Sequence, residues 1–307
     1  MAIVTGFPIV DGASVIAETD GPPGALYLAR ALLALGVEVT LISDAYAVPL
    51  LEAGCDQWRL PRSTIREFPF EEGGPTSTAR VSYASQYNAR SNDWIDAFLA
   101  SPVGQRLTHV VAIERPGPSH TLASLGHQPR AGDIPSELFD REVPPEERDV
   151  CHNIRGIHIN GYTAKTHRLF EFIAERKLPI TTIGMADGGN ELGMGSVPWE
   201  VLREAIALGP SGRVACRIAA DHTILAGVSN WAAYAVATTL CLLADQPALA
   251  RPWGIEPQRA LIETLVREGG AVDGVSRRRE ATVDGLPLET YLQILAGVRQ
   301  LCGVEEK

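Results

Sequence analysis

The chain has 307 residues, with 27 Lys and Arg against 37 Asp and Glu, for a formal charge of -10. That balance speaks against non-specific attraction to nucleic acid or to an anionic membrane surface, while a small anionic ligand can still be held by local donors. The ordinary apolar fraction and the length argue against disorder and lead us to expect one α/β domain over 1–307.

AIVTGF (2–7) reads as a buried first strand and VEVTLIS (37–43) as a second. Between them PPGALYLARALLALG sets Ala25, Leu28, Ala29, Leu32 and Leu35 at helical spacing, with prolines where a helix can begin and Gly36 where it can stop. Strand, helix and strand in so short a span form a βαβ unit. LTHVVAIE (107–114) and LPITTIGM (178–185) read as further buried strands, and RVACRIAA (213–220) as another. Helices are predicted over Asn160–Lys177, Pro198–Leu208, Trp231–Ala244, Arg259–Glu268 and Leu288–Leu301. The pattern predicts a mostly parallel sheet with helices on both faces, a three-layer, doubly wound arrangement. The stretch from Pro116 to about 150 breaks this rhythm. It is rich in Pro, Gly, Ser and charge, too long for an ordinary connection, and reads as a lid or an interface excursion.

The opening MAIVTGFPIV lacks a basic leader region and reads as a strand rather than a signal peptide. No stretch approaches the ~20 apolar residues that span a bilayer. A cytoplasmic protein with no membrane and no nucleic-acid partner is expected. The tail helix Leu288–Leu301 suits its own core or a second copy in a homo-oligomer equally well. The five cysteines are scattered and form no CxxC pair, so neither a zinc knuckle nor a disulfide framework is predicted.

Ligands of open parallel sheets bind beyond the carboxyl ends of the strands. At the end of the TTIGM strand stands ADGGNELGMG, a glycine loop with the acceptors Asp187, Asn190 and Glu191. Gly188, Gly189, Gly193 and Gly195 let backbone N–H groups approach a ligand; alternatively the glycines serve turns and the acids are solvated caps. Three other strand ends carry polar groups too. Glu18, Asp20 and Gly21 lead into the first helix, and Glu114-Arg115 follows the strand over 107–114. Asp221-His222 and Ser229-Asn230 follow 213–220. An acid closing a buried strand is costly unless it is paired or hydrogen-bonded.

DGGNELGMG resembles the D-glutamate cyclase family, in its carboxy-terminal, catalytic-type domain, and the resemblance extends in order to TDGPPGA, AIERPG and GVSNWAA. It implies an α/β fold and conversion of D-glutamate to 5-oxo-D-proline with loss of water. Eukaryotic members are associated with mitochondria and carry an additional amino-terminal domain. Two features depart from the family: Ala186 stands where glycine is expected, and the excursion after Glu114 is longer than the usual connection into Asn153-Ile154-Arg155.

Such a cyclisation must neutralise a γ-carboxylate, at about 3.7 kcal/mol at pH 7 for a group of pKa near 4.3, and must deprotonate the amine. The catalytic candidates are Asp187 or Glu191 for the amine proton and Glu114 for the departing oxygen. Substrate contacts are expected from Asp20, Gly21, Arg155, Gly188, Gly189, Asn190, Asp221, Ser229 and Asn230. Asp187, Asn190 and Glu191 also suit Mg²⁺ or Ca²⁺, should a divalent cation replace the acid. No nucleotide cofactor is expected, since no GxGxxG follows the first strand and no lysine follows the glycine loop. A non-catalytic amino-acid or anion-binding protein, and an enzyme acting on another small acid, are the alternatives.

Overall fold

The computed structural model describes residues 1–11, 14–71, 89–128, 130, 132–206 and 209–304. In chain order the strands and α-helices are β1 (Ala2–Thr5), β2 (Pro8–Asp11), β3 (Ser14–Ala17), α1 (Pro22–Ala34), β4 (Thr40–Ser43), α2 (Val48–Trp58), β5 (Ile65–Glu67), α3 (Ala89–Ala100), β6 (His109–Ile113), α4 (Leu122–Leu125), α5 (Ser136–Glu142), α6 (His167–Glu175), β7 (Thr181–Ala186), α7 (Trp199–Ala205), α8 (Ser211–Val214), β8 (His222–Leu225), α9 (Ser229–Leu243), α10 (Ile255–Arg267), β9 (Thr282–Val283), β10 (Leu286–Pro287) and α11 (Leu288–Leu301). The class is α/β, with parallel strands joined through helices, as the sequence predicts. No helix among the described residues is long and apolar enough to cross a membrane. The chain divides into two compact units, Met1–Glu67 with Leu225–Lys307, and Phe68–Ile224.

In the first unit the strands run in the order β5-β4-β1, all parallel, with Ala2 opposite Thr40 and Leu41 opposite Ile65. β1 and β4 are buried along their whole length, which is why their sequences are continuous apolar runs rather than alternating ones. Helix α1 starts on Pro22 and Pro23, whose missing N–H groups cost nothing there, and stops at Gly36, whose φ of 78° suits a residue without a Cβ. α1 lies so close against α9 that a Cβ at Gly24 would stand 2.8 Å from Asn230 Oδ1 and 3.0 Å from the Ala233 methyl. The tail helix α11 buries Tyr291, Leu292 and Leu295 in this unit, and the Tyr291 and Tyr234 hydroxyls are 2.6 Å apart.

In the second unit the strand order is β6-β7-β8, and β6 pairs with β7 in parallel from His109 opposite Thr181 to Ile113 opposite Met185. α6 packs Leu169, Phe170, Phe172 and Ile173 inward. The Pro-rich excursion, apart from Pro129 and Ala131 which lie outside the described residues, is fixed at several points to the segment that follows the glycine loop. The Gln128 amide donates to the carbonyls of Gly195 and Val197 and accepts from Trp199 N at 3.0 Å, satisfying the start of α7. Phe139 meets Trp199 edge to face, and Glu142 receives both the Nε and an Nη of Arg203.

Two segments differ from expectation. The strand predicted over 213–220 does not form. Arg213 and Val214 end the short helix α8, and the residues after them run along the glycine loop, where Cys216 N donates to Gly189 O and Ile218 O accepts from Gly193 N and Gly195 N. An apolar run shows that a segment is buried, not that a sheet buries it. The helix predicted from Asn160 begins only at His167; a 3-10 turn over Asn160–Tyr162 and an extended Thr163 precede it. The end of the predicted helix over 198–208 also falls outside the described residues, at 207–208.

Candidate active site

Adjacent parallel strands place their following residues side by side. β6 ends at Ile113 opposite Met185, so Glu114 and Asp187 both emerge at the carboxyl edge. A carboxylate oxygen of Glu114 and one of Asp187 lie within 4.8 Å of each other. Glu114 is 6% exposed and Asp187 half-buried. The Glu114 backbone has φ 43°, in the left-handed region, while its N–H still donates to Met185 O at 3.2 Å. Such a conformation costs a residue with a Cβ roughly 1–3 kcal/mol and persists only where surrounding structure enforces it.

Beyond Glu114 the enforcing contacts are plain. Leu192 N donates to Arg115 O at 2.8 Å and Gly117 N to Asn190 O at 2.9 Å, so 115–117 runs antiparallel along the glycine loop. Ser119 N reaches Val150 O, and Arg217 N reaches Pro118 O. Four segments are thus laced together by main-chain hydrogen bonds. Gly193 is required in this lacing: its φ is 102°, and a Cβ there would come 2.7 Å from Gly184 Cα in β7.

Glu191 is turned into its own loop. It is 1% exposed, and its two oxygens accept from Gly188 N at 2.7 Å and Gly189 N at 2.6 Å. With Gly193 N and Gly195 N directed to Ile218 O, all four loop-glycine amides have acceptors inside the protein. Of Glu114 and Glu191, it is Glu114 whose carboxylate lies near that of Asp187, and Glu191 shapes the loop. Asn190 Nδ2 donates to His152 O at 2.9 Å, tying the loop to the turn that carries Arg155. Arg155 itself is exposed, one residue past Ile154, whose Cδ1 sits 3.5 Å from where a Gly188 Cβ would stand.

Asp221 stands elsewhere. It accepts from Thr182 N at 2.7 Å and Thr182 Oγ1 at 2.9 Å, at the start of β7 and so at the far end of that strand from Asp187. The Thr182 amide leads the contacts that hold its carboxyl below the usual range. In the first unit, Asp20 accepts from Gly21 N, Ser229 N and Asn230 N, while Asn230 Oδ1 accepts from Gly21 N and Gly24 N. The acid before α1 thus caps α9, and the amide in α9 caps α1.

Two cations are buried without any motif in the sequence that announces their burial. Arg115 is fully buried, with Nε on Thr166 Oγ1 at 2.8 Å and an Nη on Ala164 O at 2.7 Å. Lys165, between those two partners, is 4% exposed, and burial pushes its ammonium below the usual lysine range. Nothing in TAKTH (163–167) forms a motif, and only the proximity of Arg115 to a strand end hints at it. Four of the five cysteines offer no rival nucleophile: Cys55, Cys151, Cys216 and Cys241 are free and buried, and burial pushes the Cys151 thiol up to about 12, while Cys302, free and partly exposed, stands just past the end of α11.

The family description "D-glutamate cyclase-like, C-terminal" matches residues 1–125 and 142–299. The chain belongs to the D-glutamate cyclase-like family. The break in the match, at 126–141, falls within the Pro-rich excursion. Among family relatives, the human protein named "D-glutamate cyclase, mitochondrial" is 34% identical over 245 residues, which cover 78% of this chain. They cover 32% of the human protein, so the chain corresponds to about a third of that relative's length.

Proposed function

We propose that this chain converts D-glutamate to 5-oxo-D-proline and water, as a carbon–oxygen lyase. The observation that carries the reading is the Glu114–Asp187 carboxyl pair at neighbouring strand ends, in a chain of this family. Two carboxylates this close do not both ionise freely, so one tends to keep a proton while the other stays a base. In the reaction the α-nitrogen forms a bond to the γ-carbon and a carbon–oxygen bond breaks. The ammonium gives up two protons, and the departing oxygen leaves with both as water. Asp187, the more exposed acid, accepts from the amine; Glu114, the more buried, protonates the oxygen. Glu191 is a positioning residue, through Gly188 and Gly189. Arg155 is the substrate-carboxylate clamp. For Asp20, Gly21, Ser229 and Asn230 we propose a framing role, consistent with their exchange of helix caps.

The same oxygen pair suits a hard divalent cation, Mg²⁺ or Ca²⁺, which would polarise the γ-carboxyl in place of the Glu114 proton. Activity abolished by a chelator and restored by one of these ions selects that version; activity indifferent to chelation selects the proton. The cytoplasmic location expected from the sequence forms part of this reading, whereas the name of the human relative places that protein in mitochondria. The function is tested by incubating the pure chain separately with D-glutamate and L-glutamate and resolving the products on a chiral column. We expect 5-oxo-D-proline from the D-isomer. Saturable binding of D-glutamate without any 5-oxoproline would instead establish an amino-acid-binding protein.

A further inference from the structure

We propose that Glu147, His152 and His158 form a binding site for a divalent transition metal, with Zn²⁺ the best match. The proposal stands apart from the reaction above. One carboxylate and two imidazoles present ligand atoms within 4.8 Å of one another. Both rings turn Nε2 toward the same carboxylate oxygen: His152 Nε2 is 2.8 Å from Glu147 Oε2, and His158 Nε2 meets that oxygen from the other side. The rings are set edge to face with centroids 4.8 Å apart, because His152 and His158 face each other across an antiparallel bridge. The turn between them is closed by Asn153 N on Ile157 O and by Asn153 Oδ1, which accepts from Arg155 N and Ile157 N. The backbone thus pre-arranges two imidazoles six residues apart.

Two nitrogens and one carboxylate oxygen are a donor set for zinc, not for Mg²⁺ or Ca²⁺, which take oxygen. Ligands about 2.0–2.1 Å from a tetrahedral zinc lie roughly 3.3 Å apart, so the His152–Glu147 pair needs to open by about half an ångström and the closer His158 contact by more. His158 is the side that can give, since its side chain is 46% exposed while that of His152 is fully buried. Its exposure also provides the ion's route in and room for water as a fourth ligand. The second oxygen of Glu147 has Arg213 Nη1 at 3.5 Å, an outer partner that steadies the carboxylate. Since His152 O receives the Asn190 amide, an ion here would brace the turn against which the DGGNELGMG loop is hung.

The test uses the full chain after treatment with chelator. Co²⁺ is titrated while visible absorption is followed, and Zn²⁺ affinity is measured by competition with a chromophoric chelator. The proteins are wild type, His158→Ala and His158→Gln; the glutamine can still donate to Glu147 but is a poor metal ligand. Circular dichroism verifies that each is folded, as expected for a half-exposed side chain. We expect wild type to bind one Zn²⁺ more per chain than either variant, or to bind it at least about tenfold more tightly, a loss no smaller than removing an outer-shell partner gives at its mildest. Zn²⁺ should also raise the melting temperature of wild type alone. Equal metal binding by wild type and His158→Gln would overturn the proposal and leave the trio as a hydrogen-bonded cluster.

Discussion

Glu114 and Glu191 show how differently two buried acids can be used within a few ångströms of the same loop. Glu114 sits on a backbone that disfavours any side chain, and neighbouring main-chain bonds keep it there. Glu191 has a relaxed purpose: two glycine amides bind its two oxygens. An amide in its place has one oxygen and one NH₂ group, so one glycine N–H would face a donor. Glu191→Gln should therefore destabilise the chain by about 1–3 kcal/mol in urea unfolding, the cost of leaving one buried donor unmet. A melt indistinguishable from wild type would show that the loop does not depend on this carboxylate.

At the scale of elements, α6 carries an ionic junction that binds the second unit together. Glu171 meets Arg168 on its own helix and Arg217 from the segment along the glycine loop, and Arg217 also reaches Asp149. Burial alone would raise the Glu171 carboxyl, but His167, Arg217 and Arg168 outweigh it and hold it at about 2. A folded value depressed below the unfolded one, near 4.3, contributes stability that is fully present above the unfolded value. That contribution is lost as pH falls from about 5 toward 2. Glu171→Gln should be less stable than wild type at pH 7, and the gap should close across that acid window. A gap of constant size from pH 7 to pH 3 would mean that the glutamate acts by shape rather than by charge.

The elements legible in the sequence are those whose burial and punctuation agree. α1 has prolines at its start and a glycine at its end, and β1, β4, β6 and β7 are short apolar runs in a parallel frame. Leu288–Leu301 matches α11 residue for residue. RVACRIAA reads as a strand but forms none, because the glycine loop and Pro118 take up its backbone, and no periodicity distinguishes those partners from a sheet. Of the site, the strand-end acids were visible as polar residues closing apolar runs. That Glu191 would turn inward, and that Asp221 would lie at the opposite end of β7, depends on side-chain direction, which spacing does not encode. The burial of Arg115 and Lys165 is illegible for a related reason: a buried cation is known by its partners, here Thr166 and Ala164 for Arg115.

For the molecule as a whole, the family match covers both sides of the excursion but not 126–141, while the structure ties that part of the chain down through Gln128 and Phe139. A chain with charge -10 is a poor attractor for an anionic substrate at long range, so the proposed reaction requires recognition by local cations, the role proposed for Arg155. The account as a whole turns on whether the Glu114–Asp187 pair performs the cyclisation. The most direct measurement is the turnover of D-glutamate by wild type, Glu114→Gln, Asp187→Asn and the double variant, each shown by its melt to be folded. We expect wild type to form 5-oxo-D-proline, each single replacement to lower kcat by about 10²–10⁴, and the double replacement to cost little beyond the worse single one. Wild-type turnover that survives in the folded double variant would contradict the account.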